Sequence, residues 1–167
     1  MPERIGFVGL GIMGRPMAEN LAKKFDVVGF DVLESRRTGL TGVTVAHTAA
    51  EVAAASTVVC LSLPSAAVVE EVVLGGGGLG DSMKEGALLI DLSTSLPSLS
   101  RRIAARLAEK GIEFADAPVS GGEAGAHSAA LAIMVGGTPE TFRRCQPYLA
   151  AIGKTVVRWP PPPFTAY

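Results

Sequence analysis

The stretch Phe7-Val-Gly-Leu-Gly-Ile-Met-Gly-Arg-Pro-Met-Ala-Glu-Asn-Leu21 decides the fold of this chain. Its three glycines (Gly9, Gly11 and Gly14) have GxGxxG spacing between an apolar strand at residues 4–8 and an amphipathic helix. In that setting the first glycine allows a tight turn, the second lets the backbone approach a pyrophosphate, and the third lets helix and strand pack closely. Free amides at the start of the helix then face the phosphates. We therefore predict a dinucleotide-binding loop.

A second strand, at residues 26–31, ends in an acid about 20 residues after the glycines, which is the separation expected of a ribose-binding carboxylate. Asp31 can accept hydrogen bonds from both ribose hydroxyls and repels a 2′-phosphate, so NAD is the expected cofactor. Arg36 and Arg37 follow closely, and an arginine nearby can accommodate the extra phosphate of NADP. NADP is therefore the less favoured alternative.

Strand and helix signals alternate along the rest of the chain. Further strands are predicted at residues 43–45, 57–63, 87–91, 112–116, 131–135 and 154–157. Helices are predicted at residues 34–40, 65–74, 97–110 and 139–149, with a helix capped by Thr48 and a glycine-rich loop at residues 75–80. Apolar strands that alternate with amphipathic helices indicate an α/β fold of the Rossmann type, with a doubly wound and mostly parallel sheet.

Polar or glycine-rich residues follow several strands at their carboxyl ends, where a doubly wound sheet binds its ligands. Beyond the glycine loop, these stretches are residues 63–65, 92–95 and 118–122. Turn chemistry alone explains a single proline or glycine there, but it explains the whole set less well. Asp91 and Asp116 end two of the strands, and we interpret them as caps of the following turns rather than as a catalytic pair.

The size, charge and composition of the chain argue against several classes of function. The chain has 167 residues, 48% of them hydrophobic, which suits one domain with a sizeable core. Its net charge of -1 and the lack of a basic run give no electrostatic support for nucleic-acid binding. No stretch is apolar enough to span a bilayer, and the early first strand leaves no room for a targeting peptide, so a cytoplasmic location is expected. Cys60 and Cys145 are expected to be reduced, and no metal-ligand spacing is present.

The quoted stretch resembles the N-terminal signature of the β-hydroxyacid dehydrogenase family, the family of 3-hydroxyisobutyrate dehydrogenase. Residues 116–122, Asp-Ala-Pro-Val-Ser-Gly-Gly, resemble its substrate-binding signature, and residues 132–137 resemble the segment that follows. The resemblance implies a cofactor site formed by Gly9, Leu10, Gly11, Ile12, Met13, Gly14, Asp31, Leu63, Pro64 and Thr94. It also implies that the substrate carboxylate is bound by hydroxyl and amide donors of Ser120, Gly121 and Gly122.

In that family, hydride passes between NAD and a small 3-hydroxy acid such as 3-hydroxyisobutyrate or the tartronate semialdehyde/glycerate pair. The resemblance therefore implies an NAD-dependent oxidoreductase of the 3-hydroxyacid dehydrogenase type. It places the general acid/base, a lysine, on the first long helix of a C-terminal helical domain. Residues 159–167 are instead a proline-rich tail. We therefore expect residues 1–158 to be the dinucleotide-binding domain and the helical domain to be absent, so this chain would contain no catalytic residue.

These departures from the family lower the expected activity. Without the lysine, proton transfer loses roughly 10²–10⁴-fold, so we expect weak NAD binding and little turnover. The helical domain also makes most of the family's dimer contact, and its loss would expose an apolar surface that favours homo-oligomers. Ala129-Ala130 stands where the family usually has Gly-Thr, so a polar contact near the substrate loop would be lost. His127, on the same loop, is a weaker candidate for contact with the substrate.

Other function classes share parts of this pattern. A non-catalytic dinucleotide-binding module would carry the same glycine loop and Asp31. The 6-phosphogluconate dehydrogenases share a Val-Ser-Gly-Gly loop but usually carry Asn-Arg after the second strand, where this chain has Asp31-Val32. Imine reductases share the glycine loop but lack the Ser-Gly-Gly loop at residues 120–122. The residues therefore favour a 3-hydroxyacid dehydrogenase over these two enzyme classes.

Overall fold

The computed structural model describes residues 3–159, and the predicted tail lies outside the described residues apart from Trp159. Within that range, nine strands alternate with helices. The strands are β1 Arg4–Val8, β2 Asp26–Phe30, β3 Val43–Val45, β4 Val58–Leu61, β5 Leu88–Asp91, β6 Glu113–Asp116, β7 Val119–Ser120, β8 Leu131–Val135 and β9 Gly153–Arg158. The helices are α1 Gly14–Ala22, α2 Ala49–Ala55, α3 Ala66–Leu74, α4 Leu79–Ser82, α5 Pro97–Ala108, α6 Gly122–Ser128 and α7 Pro139–Leu149, with a 3₁₀ turn at Glu34–Arg37.

Six strands form one parallel sheet in the order β3-β2-β1-β4-β5-β6. The chain moves outward from β1 to β3, returns to the middle of the sheet, and continues in the other direction from β4 to β6. The strand order therefore reverses between β1 and β4, as it does in doubly wound nucleotide-binding sheets. This topology confirms the predicted fold class, and it places a ligand crevice at the carboxyl ends of β1 and β4.

Alternate residues of each strand enter two apolar clusters, one on each face of the sheet. Ile5 and Phe7 of β1 join residues of α1, α6 and α7 in one cluster, whereas Val8 joins residues of α2, α3 and α5 in the other. Because both faces are covered, every residue of β4 and β5 is buried. This arrangement explains why these strands read as continuous apolar runs rather than as alternating patterns.

Strands β7, β8 and β9 form a second sheet of three strands. The sequence predicts the strands that correspond to β8 and β9, but it does not predict that they leave the main sheet. Only Ala117 and Pro118 separate β6 from β7, which is too short for the crossover that a further parallel strand needs. β7 instead pairs antiparallel with β8, and an isolated antiparallel bridge between Asp116 and Gly136 joins the two sheets.

The outer face of β8 and β9 carries exposed apolar side chains. Met134 pairs in register with Val157, and both are exposed, as is Trp159 two residues further on. A continuous apolar face of this kind suits association with another surface. The homo-oligomer expected from the sequence stays a prediction.

Three local elements differ from the prediction. The predicted helix after β2 is a 3₁₀ turn, Glu34–Arg37, which ends because the backbone of Thr38 is extended. The glycine-rich loop runs into α4, which is anchored by the fully buried Leu79. Helix α6 forms where a loop was expected, so His127 lies in its last turn and not on a loop.

The two cysteines, Cys60 and Cys145, are free thiols buried in the apolar core. Burial raises the pKa of the Cys145 thiol to about 12. Across residues 3–159, no helix has the length and apolar character needed to cross a membrane. The same residues contain no group of three or more His, Cys, Asp and Glu side chains placed to hold a metal ion.

Candidate functional site

The three glycines between β1 and α1 differ in what surrounds them. Gly9 has a positive φ of 101°, and a Cβ at this position would collide with the carbonyl oxygen of Ser62. A Cβ on Gly14 would collide with the carbonyl oxygen of Gly9. A Cβ on Gly11 would meet no atom closer than Arg36 Nη1, which would lie 3.5 Å away. The first and third glycines therefore shape the turn, and the second leaves the space that a pyrophosphate needs above the backbone.

The start of α1 faces the same space. Met13 is the N-cap residue, and no side chain of the described residues caps this end of the helix. The first helical hydrogen bond runs from the Arg15 amide to the Gly11 carbonyl, at 3.0 Å. The amides ahead of Arg15 are orphan donors of the helix start, and uncapped donors of this kind bind anions readily. The loop therefore has the chemistry of a phosphate site.

Asp31 lies directly after β2 and is only 5% exposed. Its Oδ2 accepts a hydrogen bond from the Leu10 amide at 2.8 Å, and its Oδ1 accepts one from the Leu33 amide at 2.9 Å. The sequence predicts Asp31 as the ribose-binding acid, but it does not reveal that the same carboxylate fixes the glycine loop. Leu10 has a buried side chain and an amide that is bonded to Asp31, so it shapes this loop from within.

The two arginines after β2 occupy different places. Arg36 Nη1 lies 3.6 Å from Asp31 Oδ2, and its guanidinium extends over Gly11. The Arg37 guanidinium instead lies over the ring of Phe30, 5.6 Å from its centroid. Arg36 is therefore the arginine that borders both the phosphate space and the ribose acid, and its side chain is about half exposed.

Side chains at the carboxyl ends of β4 and β5 are joined by a short hydrogen-bond chain. The Leu63 amide donates to Ser93 Oγ at 2.8 Å, and the Ser93 amide donates to Asp91 Oδ1 at 2.9 Å. Asp91 therefore caps the turn after β5, as predicted. The carboxyl group is fully buried, and this burial raises the pKa of Asp91 above its ordinary value. Ser93, for which the sequence predicts no separate role, fixes the backbone at the predicted cofactor residue Leu63 and directly precedes Thr94.

The predicted substrate loop follows β7. Ser120 is exposed at the end of that strand, and Gly121 and Gly122 have positive φ values of 137° and 63°. A Cβ on Gly121 would lie 3.2 Å from Leu131 Cδ2, so the loop also packs closely on β8. The Ser120 hydroxyl and the two glycine amides are donors of the kind that bind a carboxylate. His127, further along α6, is exposed and lies 3.6 Å from Glu123 Oε1.

Two features at the C-terminal end of α6 could not be predicted from the sequence. Asn20 of α1 is buried, and its Nδ2 donates to the carbonyl oxygens of Ala126 and His127 at 2.8 and 3.2 Å. Ala129 ends α6 in the left-handed conformation with φ 55°, and it is the one non-glycine residue among residues 3–159 with positive φ. This geometry explains why the family that the chain resembles has glycine at that position.

The structure gathers the predicted cofactor residues at one edge of the parallel sheet. The Gly9 amide donates to the Phe30 carbonyl, and the Ser62 amide donates to the Val8 carbonyl, both at 2.9 Å. The Leu92 amide likewise donates to the Leu61 carbonyl at 2.9 Å. The ends of β1, β2, β4 and β5 therefore meet. Exposed apolar side chains of Ile12, Val32, Leu33 and Leu96 follow or border these ends.

Comparisons with known proteins agree with this geometry. Residues 4–159 match the family described as the NAD binding domain of 6-phosphogluconate dehydrogenase. The chain is 43% identical over 156 residues to 2-(hydroxymethyl)glutarate dehydrogenase of Eubacterium barkeri, covering 92% of this chain and 52% of that protein. It is 40% identical over 156 residues to mitochondrial 3-hydroxyisobutyrate dehydrogenase of Mus musculus, covering 92% of this chain and 47% of that protein.

A solved structure gives the same result. Mycobacterium tuberculosis 3-hydroxyisobutyrate dehydrogenase with L-serine superposes with a TM-score of 0.89 at 36% sequence identity, covering 95% of this chain and 54% of that one. The chain thus spans about half the length of the curated relatives it matches. The family match extends across nearly all the described residues, and the glycine loop, Asp31 and strand order lie within it. The chain therefore belongs to the family of NAD-binding domains typified by that of 6-phosphogluconate dehydrogenase, and NAD is its cofactor.

Proposed function

We propose that this chain serves an NAD-dependent oxidoreductase of the 3-hydroxyacid dehydrogenase type. The reaction is hydride transfer between NAD and a small 3-hydroxy acid such as 3-hydroxyisobutyrate or tartronate semialdehyde/glycerate. The observation that carries the proposal is the joint placement of Asp31 and the open Gly11 at one end of the parallel sheet. A glycine loop with donors for a carboxylate follows β7 of the second sheet. Relatives named as hydroxyacid dehydrogenases support the substrate class.

The cofactor would lie across the carboxyl ends of β1 and β4. Its pyrophosphate would face Gly11 and the amides at the start of α1, and its adenosine ribose would face Asp31. Arg36 would leave the space above Gly11 and turn toward solvent. Leu63, Pro64 and Thr94 would border the nicotinamide. The Leu63 amide is held by Ser93, whose own amide is held by Asp91.

The substrate carboxylate would bind at Ser120, Gly121 and Gly122, whose hydroxyl and amides are hydrogen-bond donors. Bound NAD supplies the acceptor for the hydride, so the chain's task is to orient the two ligands. The donors fix the carboxylate, and the carbon that bears the hydroxyl is thereby directed to the nicotinamide. Orientation of this kind reduces the entropic part of the barrier.

A second candidate function is a dinucleotide-binding module that does not turn over by itself. This alternative rests on the nucleotide crevice alone, which is formed by the glycine loop, Asp31 and the start of α1. Titration with NAD, followed by an assay of NADH formation with 3-hydroxyisobutyrate, glycerate and L-serine, separates the two. Binding with turnover supports the dehydrogenase, and binding without turnover supports the module.

The Asp31→Asn substitution tests the cofactor assignment. It keeps the side-chain volume but removes the negative charge of the carboxylate that would accept hydrogen bonds from the two ribose hydroxyls. A hydrogen bond to a charged group contributes about 1.5–3 kcal/mol, so NAD should bind roughly 10- to 100-fold more weakly, with a smaller change for NADP. Calorimetric titration of both cofactors provides the measurement.

Asp26→Asn is the matched control, because Asp26 starts the same strand and makes an exposed ion pair with Arg4 at 2.7 Å. This control should leave both cofactor affinities unchanged, since exposed pairs contribute little and the residue is at the opposite sheet edge. An equal loss of NAD and NADP affinity in Asp31→Asn would refute the ribose assignment.

A further inference from the structure

A buried amide links the helix after the glycine loop to the helix after the substrate loop. Asn20 lies on α1, about 9 Å along the helix axis from its first residue. Its Nδ2 donates to the carbonyl oxygens of Ala126 and His127, and its Oδ1 accepts from Lys23 Nζ at 2.8 Å. The two α6 carbonyls fix the orientation of the amide, because a carbonyl oxygen accepts only from the NH₂ group. The Lys23 contact on the oxygen agrees with that orientation.

The two carbonyls belong to the end of α6, where a helix leaves its last carbonyl groups without backbone partners. Backbone amides at the α6 C-terminus reach only Gly125, whose carbonyl accepts from Ala130 at 2.9 Å, because Ala129 turns the chain into the left-handed conformation. Asn20 supplies the donors that Ala126 and His127 lack. The contact therefore serves as the C-terminal cap of α6, provided by a helix more than 100 residues earlier in the sequence.

The substrate loop depends on this contact because of the way the sheets are joined. Ser120 ends a strand of the second sheet, Gly121 precedes α6 and Gly122 begins it, whereas the cofactor residues follow strands of the first sheet. The sheets are joined by the backbone bridge between Asp116 and Gly136, by α7, which packs on both β6 and β9, and by the contact between α1 and α6. Among these attachments, the contact between α1 and α6 is the one made by the helix that starts at the substrate loop, so it fixes that loop most directly.

We propose that Asn20 is a positioning residue that holds the loop Ser120–Gly122 in register with the cofactor helix α1. It acts by fixing α6 and touches neither ligand. The ligand chemistry rests on the proposed function, in which that loop binds a 3-hydroxy acid and α1 faces the pyrophosphate of NAD. Loss of the amide donors should therefore weaken binding of the acid while binding of NAD persists.

Two substitutions in the full 167-residue chain test this role. Asn20→Asp keeps the side-chain shape and the oxygen that accepts from Lys23. It replaces the NH₂ group by a second oxygen, which cannot donate to the α6 carbonyls. Asn20→Ser is a neutral, smaller replacement that cannot reach both carbonyls, and it serves if the charge of the aspartate variant prevents folding. Lys23→Gln is the matched control, because it removes the partner of Oδ1 and leaves both Nδ2 hydrogen bonds in place.

The first measurement needs no ligand. In ¹H–¹⁵N NMR spectra, both Asn20 variants should shift or broaden the amide resonances of Gly121 and Gly122 and leave those of Gly9 and Gly11 unchanged. Lys23→Gln should leave all four unchanged. Gly121 and Gly122 resonances that stay in place in the Asn20 variants would overturn the proposal, because a merely local cap would not reach the substrate loop.

The second measurement uses NAD and then 3-hydroxyisobutyrate in the presence of saturating NAD. The Asn20 variants should bind NAD within about threefold of the unsubstituted chain and the acid at least tenfold more weakly. An equal loss for both ligands would overturn the proposal and indicate a general loss of structure. If the unsubstituted chain binds neither ligand, the proposed function fails, and the ligand-free spectra still decide the role of Asn20.

Discussion

Replacement of Ala129 by glycine should stabilise the protein, which is the reverse of the usual effect of this substitution in a helical region. Ala129 has φ 55°, and the left-handed conformation costs an L-residue about 1–2 kcal/mol. Glycine removes that strain but gives the unfolded chain more freedom, which costs about 0.4–1 kcal/mol. The expected net gain is about 0.5–1 kcal/mol, and the melting temperature should rise by about 1–4 °C for a chain of this size.

The control is the same substitution at Ala105, an exposed residue within α5. Glycine in a helix interior costs about 1 kcal/mol relative to alanine, so Ala105→Gly should lower the melting temperature by about 2–4 °C. Urea unfolding followed by circular dichroism measures the free energy of unfolding of both variants. The two substitutions should therefore change stability in opposite directions, and their difference should be about 1.5–2 kcal/mol.

The sign of the change in the free energy of unfolding of Ala129→Gly shows whether residue 129 is held in the left-handed conformation. A loss of stability equal to that of Ala105→Gly would mean that residue 129 is not held in the left-handed conformation. The explanation of the family's glycine at this position would then be wrong as well.

The remaining predictions concern the glycine loop and a buried acid. Gly14→Ala should cost about 1–3 kcal/mol of stability and abolish NAD binding, because its Cβ collides with the Gly9 carbonyl. Gly76→Ala, with nothing within 4 Å, is the control for the unfolding and titration measurements. Burial raises the pKa of Asp91 above its ordinary value of 3.8. The neutral carboxyl group therefore stabilises the folded state below pH 3.8, and this stabilisation is lost as the pH rises through the raised pKa. Asp91→Asn does not titrate, so in urea unfolding its stability relative to the unsubstituted chain should increase as the pH rises above about 3.8. A difference that stays constant with pH would contradict this assignment.

Features fixed by neighbours in the sequence could be predicted from the residues alone. The cap at Asp91 depends on Ser93, two positions away. The GxGxxG spacing was sufficient to identify the turn at Gly9, although the carbonyl that approaches Gly9 is that of the distant Ser62. Asp31 was identified by its separation from the glycines, since the βαβ unit brings the ends of β1 and β2 together. The alternation of strands and helices was similarly sufficient for the doubly wound sheet.

The features that were missed depend on contacts between distant segments. Asn20 reads as one polar residue on an amphipathic helix, and its partner Ala126 lies 106 residues away. The sequence predicts a loop around His127, whereas the structure has helix α6 there. This segment contains several small residues and glycines, so the helix is held by packing rather than by helix propensity. The second sheet arises from the short link after β6, whose effect on topology appears only when pairing partners are known.

The order of the strands along the chain bears on how the protein is made. All six strands of the parallel sheet precede residue 117, so that sheet can assemble on the ribosome while the second sheet is still being synthesised. The apolar face of α1, with Met17 and Leu21, shares its cluster with Ala126 and Leu131, which emerge later. A nascent chain would therefore have a complete nucleotide crevice before the apolar face of α1 is covered. NAD present during translation would favour that half-built state by mass action, so cofactor supply should raise the yield of folded protein.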